Sequence, residues 1–232
     1  MEIEDMMLIV DPKFPFTTFA QRKYDVSYFK REFCWKLTAN KYDISIQQYA
    51  SLWKSIINPD LTYNSNYGVM WFGDQYGVFD VVTELTRDPA SRKAYLPMLN
   101  NSHMSAHVTD TVCTIGIGFK IRDGRLNCSV YMRSSDVIYG LATDIPTFAC
   151  LYRLVKGLLP MTLDDGTITI IAMSSHIYQK HYALVDRILQ DPAYDPVEMP
   201  YCGYKDAMTI IASRGKKEIL ETAGKLGVWL CD

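Results

Sequence analysis

One stretch of alternating side chains most constrains how this chain can fold. Every second residue over positions 113–121 is apolar, and the same period of two returns over positions 126–132. This is the period of a half-buried strand. Between the two segments, Asp123 and Gly124 supply the dipeptide that is typical of a tight turn. We therefore predict a β-hairpin whose open end carries Cys113 and Arg133.

Helical periodicity surrounds this hairpin. We predict helices over residues 26–38, 46–57, 74–87, 145–158 and 177–190, a strand over 167–174 and a helical tail over 205–227. In the third helix, Phe79, Val82 and Leu85 are expected to form the apolar face. No linker-like run of Pro, Gly and Ser divides the chain. We expect an α+β fold in which a mixed β-sheet packs against helices, forming a single catalytic domain over residues 1–232.

Composition excludes several classes of protein. A formal net charge of −2 gives no electrostatic reason to expect direct binding to a nucleic-acid polymer. No run of about 18 apolar residues is long enough to span a membrane, and the first ten residues are acidic where a signal peptide would be basic. The cysteines form no Cys-x-x-Cys pair, and His103 and His107 lack a third ligand, so we expect no metal. These features favour a cytoplasmic enzyme that acts on a small anion.

The order of motifs resembles the thymidylate synthase superfamily. In that family a Cys lies ten residues before the Asp of a hairpin turn, as Cys113 does before Asp123. The segment that follows is similar to the family's Arg-Ser-x-Asp-Val-x-x-Gly-Leu motif. Further matches occur in the family's order, namely Glu32-Phe33-Cys34-Trp35, Asn66-Tyr67-Gly68, Asp88-Pro89-Ala90-Ser91-Arg92-Lys93 and His176-Ile177-Tyr178. The resemblance implies a thymidylate synthase-like fold and a homodimer formed through the sheet.

The resemblance also implies catalytic roles and a co-substrate, 5,10-methylenetetrahydrofolate. Cys113 would add to C6 of a pyrimidine base, so that C5 becomes nucleophilic enough to attack a one-carbon unit. Glu32 would be the buried acid/base that helps to open the folate ring, with Tyr67 in the same network. Asp136 and Gly140 would face the folate pterin together with Glu32.

Nucleotide-binding residues follow from the same comparison. Arg133 and Ser134 would hold the 5′-phosphate within one subunit, and Arg92 and Lys93 would be donated across the dimer interface. The pair that binds the sugar 3′-hydroxyl would be His176 and Tyr178. Further phosphate ligands near the N-terminus stay open among Lys13, Arg22 and Lys23.

Asp144 bears on the choice of base. In the synthases that methylate dUMP, an Asn at this position reads the uracil edge, whereas Asp resembles the hydroxymethylase branch. A carboxyl group accepts a hydrogen bond from the exocyclic amine of cytosine and can take part in protonating the ring nitrogen. The expected reaction converts dCMP to 5-hydroxymethyl-dCMP. The alternatives are hydroxymethylation of CMP, a synthase-type methylation of dUMP, and a catalytically silent nucleotide-binding relative, while Ser134 favours dCMP over CMP.

Each residue also has a plainer interpretation. Cys113 could be a small core residue, Glu32 an exposed helix residue, and Arg92 with Lys93 a solvated pair at a helix end. Asp144 could be the N-cap of the helix over residues 145–158. If Cys113 is the nucleophile, Arg92 and Arg133 are expected to lower the pKa of its thiol.

Three positions depart from the family pattern. Thr114 stands where most synthases have a His after the nucleophile, a change that resembles the hydroxymethylase branch. Gly118 stands where a Gln is usual, which removes a hydrogen-bonding side chain without an evident reason. Lys93 also replaces a usual Arg and would contact phosphate with less directional donors.

Overall fold

A mixed β-sheet lies at the centre of the protein in the computed structural model, which describes residues 1–73 and 76–232. The described residues form six strands: β1 (Glu2–Val10), β2 (Tyr95–Pro97), β3 (Thr114–Arg122), β4 (Arg125–Met132), β5 (Ser135–Asp136) and β6 (Asp164–His176). The strands are ordered β1-β6-β4-β3-β2, and β5 pairs with β6. β6 runs parallel to β4 and β5, and the other pairs are antiparallel. This architecture confirms the α+β prediction.

The predicted hairpin is confirmed as β3 and β4. Asp123 and Gly124 both have positive φ, of 51° and 69°, the backbone that a two-residue hairpin turn of the primed type requires. On the inner face, Ile117, Phe119 and Val130 are fully or almost fully buried. The turn chemistry and the buried face therefore agree on one register, in which Cys113 directly precedes β3.

Some helices contact the sheet directly, and the others pack on neighbouring elements. The helices are α1 (Val26–Leu37), α2 (Leu52–Ile56), α3 (Gly68–Phe72), α4 (Val78–Arg87), α5 (Gly140–Leu158), α6 (Tyr182–Gln190), α7 (Tyr204–Ser213), α8 (Lys217–Leu220) and α9 (Gly224–Cys231). The Asp25 side chain caps α1 by accepting hydrogen bonds from the backbone N–H groups of Ser27 and Tyr28, at 2.9 and 3.1 Å. None of these helices, in residues 1–73 and 76–232, is long and apolar enough to cross a membrane.

Several predicted helices differ from the structure. The helix over 46–57 is replaced by a 3-10 helix, Ser45–Gln48, and by α2, because Ile46 and Trp53 fold around a small aromatic cluster with Trp35 and Tyr63. The helix over 74–87 appears as α4 from Val78, and positions 74 and 75 lie outside the described residues. The helix over 177–190 appears as a short 3-10 helix, Gln179–His181, followed by α6.

The apolar face of α4 also differs from the prediction. Val78, Val81 and Leu85 are fully buried, whereas Phe79 is exposed. The buried positions follow the spacing i, i+3, i+7, which keeps residues on one helix face, while 79, 82 and 85 drift around the axis.

The alternative interpretation of Asp144 as an N-cap is wrong. α5 begins at Gly140, so Asp144 lies within the helix and Pro146 lies inside it as well. A proline there removes one backbone hydrogen bond. Because α5 is buried along almost its whole length, its packing outweighs that loss.

The segment Asn66-Tyr67-Gly68, at the start of α3, contacts the end of α1. The Asn66 side-chain amide donates to the carbonyl oxygens of Trp35 and Asn40, at 3.1 and 3.2 Å, and so satisfies backbone groups at the end of α1. Gly68 sits so close to α1 that a Cβ built on it would lie 1.7 Å from the carbonyl oxygen of Lys36. The Asn-Tyr-Gly motif thereby fixes Tyr67 beside α1.

Gly68→Ala is expected to lower the free energy of unfolding by about 3 kcal/mol, because the new methyl group forces two helix backbones apart. Urea unfolding followed by circular dichroism measures this change. The control is Gly140→Ala, where the nearest atom to a new Cβ is the Asp136 Cβ at an ordinary 3.5 Å. Equal destabilisation by the two substitutions would contradict the close approach at Gly68.

Candidate active site

Cys113 lies at the open end of the hairpin, held there by Arg133. The Arg133 Nη2 donates to the carbonyl oxygen of Thr111 at 2.8 Å, and its Nε donates to that of Val112 at 3.0 Å. The same Nη2 lies 3.6 Å from the Cys113 Sγ. Arg133 therefore fixes the backbone that leads into Cys113 and places a positive charge next to the thiol.

The expected lowering of the Cys113 pKa is wrong in its net direction. Burial raises the pKa of the thiol, and the nearby carboxyl groups of Asp144 and Asp110 raise it further. Arg133 acts in the opposite sense but does not outweigh burial. A cysteine in this environment rests as the neutral thiol at neutral pH.

Tyr67 is close enough to Cys113 and Asp144 for the charges of both to act on it. Its ring is buried, and its hydroxyl accepts a hydrogen bond from the Thr114 Oγ1 at 3.2 Å. Burial raises the pKa of Tyr67 well above its ordinary value, and the negative charges of Asp144 and Cys113 raise it further. The structure therefore brings Tyr67, Cys113 and Asp144 together, and Thr114, which departs from the family pattern, orients the Tyr67 hydroxyl.

Asp144 projects from α5 into the same cluster. Burial raises the pKa of its carboxyl group to about 7, and Glu32 and Asp136 raise it as well, against an opposing effect of Lys36. A Cβ built on Gly140 would lie 3.5 Å from the Asp136 Cβ and 3.9 Å from the Asp144 Oδ2. Gly140 therefore lies next to both Asp136 of β5 and Asp144 of α5.

Asp144→Asn is expected to stabilise the protein more at pH 8 than at pH 5. Because the folded-state pKa of Asp144 is raised, the native protein keeps a proton that the unfolded chain releases above its ordinary pKa of 3.8. Stability from this group is thus complete below pH 3.8 and is lost as the pH rises to about 7. We expect a relative gain of about 2 kcal/mol for the variant at pH 8, from urea unfolding at the two pH values. A pH-independent difference would contradict the shift.

Glu32 is buried, at 7% exposure, so the alternative of an exposed helix residue is wrong. Its Oε1 forms an ion pair with the Nζ of Lys36, one helical turn later. Lys36 is only 2% exposed, and its Nζ lies 5.5 Å from the centre of the Tyr67 ring. Sequence analysis missed Lys36, although its spacing of four from Glu32 is a signal that could have indicated it.

The end of β6 lies beside Asp136. His176 pairs in register with Asp136 across β5 and β6, and the rings of His176 and Tyr178 are 4.9 Å apart. One oxygen of Asp136 accepts from the backbone N–H of Ile138 at 3.0 Å. The Arg22 Nε donates to the Ile138 carbonyl oxygen at 2.7 Å, which places this candidate phosphate ligand on the same segment.

Arg92 and Lys93 are exposed and do not join this cluster within one chain. Arg92 instead lines a pocket of about 470 Å³ beside β2, β3 and β4, together with Tyr95, Lys120 and Tyr131. Gly118 lines the same pocket, and the Tyr95 ring lies over Gly116 and Gly118. A Cβ on Gly116 would meet the Tyr95 hydroxyl at 2.0 Å, and a Cβ on Gly118 would meet the ring at 3.4 Å.

Comparison with known proteins gives a family. Residues 4–211 match the family model for thymidylate synthase. The chain belongs to the thymidylate synthase family. The deoxycytidylate 5-hydroxymethyltransferase of Enterobacteria phage T4 is 28% identical over 178 residues, which cover 68% of this chain and 70% of that enzyme, and the phage T2 enzyme matches equally. The thymidylate synthase of Staphylococcus haemolyticus (strain JCSC1435) is 25% identical over 130 residues, 54% of this chain and 40% of that enzyme.

Family membership defines the general chemistry. The family acts on pyrimidine nucleoside monophosphates and uses methylenetetrahydrofolate, and this chain is a one-carbon transferase of that family. Within residues 1–73 and 76–232, no group of three or more His, Cys, Asp or Glu side chains is placed to hold a metal ion.

Proposed function

We propose that the protein converts dCMP to 5-hydroxymethyl-dCMP, with 5,10-methylenetetrahydrofolate and water as co-substrates. The observation that carries this proposal is Asp144, a carboxyl group with a pKa raised to about 7 that neighbours Tyr67 and Cys113. Similarity to the phage enzymes over 68% of the chain supports the same choice.

Cytosine needs a proton that uracil does not. When a thiolate adds to C6 of cytosine, electron density moves onto the ring nitrogen N3, and a proton there neutralises it. A carboxylic acid with a pKa near 7 can donate that proton and accept a hydrogen bond from the exocyclic amine at the same time. Asp144 is a half-buried group of this kind, so it suits cytosine as the base.

The other residues of the cluster take complementary roles. The Cys113 thiol gives its proton to water in the site, and the thiolate adds to C6, which makes C5 nucleophilic. The thiolate departs from C6 at the end of the reaction. Arg133 offsets the negative charge of the thiolate and contributes to holding the phosphate with Ser134. Tyr67 and Glu32 order the water that becomes the hydroxyl group of the product, and Glu32 also serves the folate as acid/base. His176 and Tyr178 bind the sugar 3′-hydroxyl.

The folate fits beside the base. Its contribution is a methylene group at the oxidation level of formaldehyde. Asp136 offers an acceptor oxygen for ring N–H groups, since its other oxygen is already used by Ile138. Gly140 lies next to Asp136 and Asp144, so a ring that contacts Gly140 would lie near the bound base.

Product analysis tests the proposal. The protein is incubated with methylenetetrahydrofolate and either dCMP, CMP or dUMP, and each nucleotide is identified by mass. We expect hydroxymethyl-dCMP and tetrahydrofolate. Faster turnover of CMP would assign the ribonucleotide, methylated dUMP with dihydrofolate would assign a synthase, and absence of product from all three would overturn the proposal.

We further propose a homodimer formed through the outer sheet face, the side opposite the helices. This face exposes Met7 and Ile9 on β1, Met173 on β6, Tyr95 on β2 and Tyr131 on β4. Apolar side chains at this density favour burial against a second copy. Arg92 and Lys93 border the same side of the sheet and would reach the phosphate of the partner's site.

Subunit mixing is expected to distinguish donation across the interface from binding within one chain. Arg92→Ala and Cys113→Ala proteins are each expected to be nearly inactive. After unfolding and refolding together, a mixed dimer holds one site with both wild-type residues, so activity should recover to about a quarter of wild type. If Arg92 acts within its own chain, no site is intact and the mixture stays inactive.

A further inference from the structure

Lys36 is a buried cation in the candidate site with no role in the chemistry proposed so far. Its side chain is 3% exposed and forms an ion pair with Glu32, whose side chain is 9% exposed. Burial of a charge is costly unless a partner compensates, and even a paired buried charge often adds little net stability. A lysine kept in such a place is therefore a candidate for a functional role.

The position of Lys36 is tightly specified. α1 fixes its backbone, and the carbonyl oxygen of Lys36 sits in the close approach to Gly68. The neighbouring Tyr67 presents its ring to the Nζ at 5.5 Å, a cation–π distance. The ammonium group is thus held between Glu32 and Tyr67, and it acts on the charge of Asp144.

We propose that Lys36 is a positioning residue, which offsets the negative charge of Glu32 and so determines whether Asp144 carries a proton when the base binds. This role of Lys36 deepens the proposed function. It rests on that function because it assumes that Asp144 gives its proton to the bound base. Without a cation, Glu32 and Asp136 would surround Asp144 with negative charge only. Asp144 would then hold its proton too tightly to give it to the base readily.

The groups that face Asp144 come from several elements. Lys36 and Glu32 project from α1, Asp136 from β5, and Tyr67 from the start of α3. Tyr24, before α1, and Cys113, before β3, also interact with the charge of Asp144. Lys36 is the cation among these groups, so its removal is expected to have an effect opposite in sign to the removal of Glu32.

Carbon-13 NMR of protein labelled at the Asp side-chain carboxyl carbons tests the proposal without substrate. The Asp144 signal is assigned by its loss in Asp144→Asn. We expect Lys36→Met to raise the midpoint of the Asp144 titration by about 1 pH unit, and Glu32→Gln to lower it. Lys36→Arg, which retains the charge, should restore most of the wild-type midpoint.

Lys30→Met is the matched control. Lys30 is also on α1, but its Nζ lies 4.3 Å from the centre of the Trp229 ring. We expect no change in the Asp144 midpoint. An unchanged midpoint in a folded Lys36→Met protein, or an equal change in Lys30→Met, would overturn the proposal, because a structural role alone lowers stability without moving this titration.

Two further measurements complete the test. If Lys36→Met does not fold, Glu32→Gln is compared with the double variant Glu32→Gln/Lys36→Met, in which the buried ion pair is replaced as a unit. The double variant should have the higher midpoint, and equal midpoints would overturn the role of Lys36. The pH dependence of kcat/KM for dCMP should shift at its alkaline limb in the same direction. The NMR result stands even if dCMP proves not to be the substrate, so the two proposals can fail separately.

Discussion

Cys113→Ala is expected to reduce nucleotide turnover by at least about 10³-fold while leaving nucleotide binding nearly intact. The substitution removes the atom that adds to C6, and without this addition C5 cannot attack a one-carbon unit. Arg133, Ser134 and Asp144 remain to bind phosphate and base. Steady-state rates measure the first effect, and calorimetric titration with dCMP measures the second.

The control for this prediction is Cys231→Ala. Cys231 is also a partly exposed thiol, but it lies in α9, where its Sγ is 3.7 Å from the carbonyl oxygen of Lys217. We expect wild-type rates from this variant. Retention of more than about a tenth of the activity by Cys113→Ala would exclude covalent catalysis by Cys113.

Asp144→Asn is expected to lower the ratio of kcat/KM for dCMP to that for dUMP by roughly 10²- to 10⁴-fold. An amide can form hydrogen bonds with either base, but it cannot supply the proton that N3 of cytosine needs. The loss on dCMP should therefore lie mainly in kcat. The gain on dUMP should lie mainly in KM, because a carboxylate repels the uracil O4 and an amide donates to it.

The pH dependence adds a second signature to this prediction. Since the pKa of Asp144 is raised to about 7, the wild-type protein holds the neutral acid below that pH and the carboxylate above it. The kcat/KM for dCMP should therefore fall as the pH rises through 7 in the wild type, and this pH dependence should be absent in Asp144→Asn. The control is Asp136→Asn, which should change the KM for folate without changing the base preference. A variant Asp144→Asn that keeps the wild-type ratio would contradict the assignment.

Local patterns were sufficient to predict the centre of the fold. The period of two and the Asp-Gly turn determine the hairpin, because both act between residues that are close in the chain. The same patterns missed β1, which begins with Glu2 and Glu4 and becomes a strand by pairing with β6, more than 150 residues later. Long-range pairing of this kind leaves little trace in a single sequence.

Within the candidate site, the ordered motifs indicated which residues meet, but not their environments. The sequence predicted that the charge of Arg133 lies close to Cys113. The burial that raises the pKa of Cys113 instead depends on the packing of distant elements. Lys36 was missed for a similar reason, since a lysine on a helix is usually solvated. Its side chain is buried beside Glu32 and Tyr67, and Tyr67 comes from a distant part of the chain. The sequence left the N-cap open as an alternative for Asp144, because local signals did not show that α5 begins at Gly140.

The place of Asp144 within α5 bears on how such proteins diverge. The helix backbone is fixed by the buried residues on either side of Asp144, from Leu141 to Leu158. An Asp codon becomes an Asn codon through a single base change. Given the proposed role of Asp144, one mutation can change the preferred base of such an enzyme between cytosine and uracil, and the protein still folds. Enzymes that act on cytosine nucleotides and enzymes that act on uracil nucleotides are then expected to occur together on the same branches of the family tree and not to form two ancient groups.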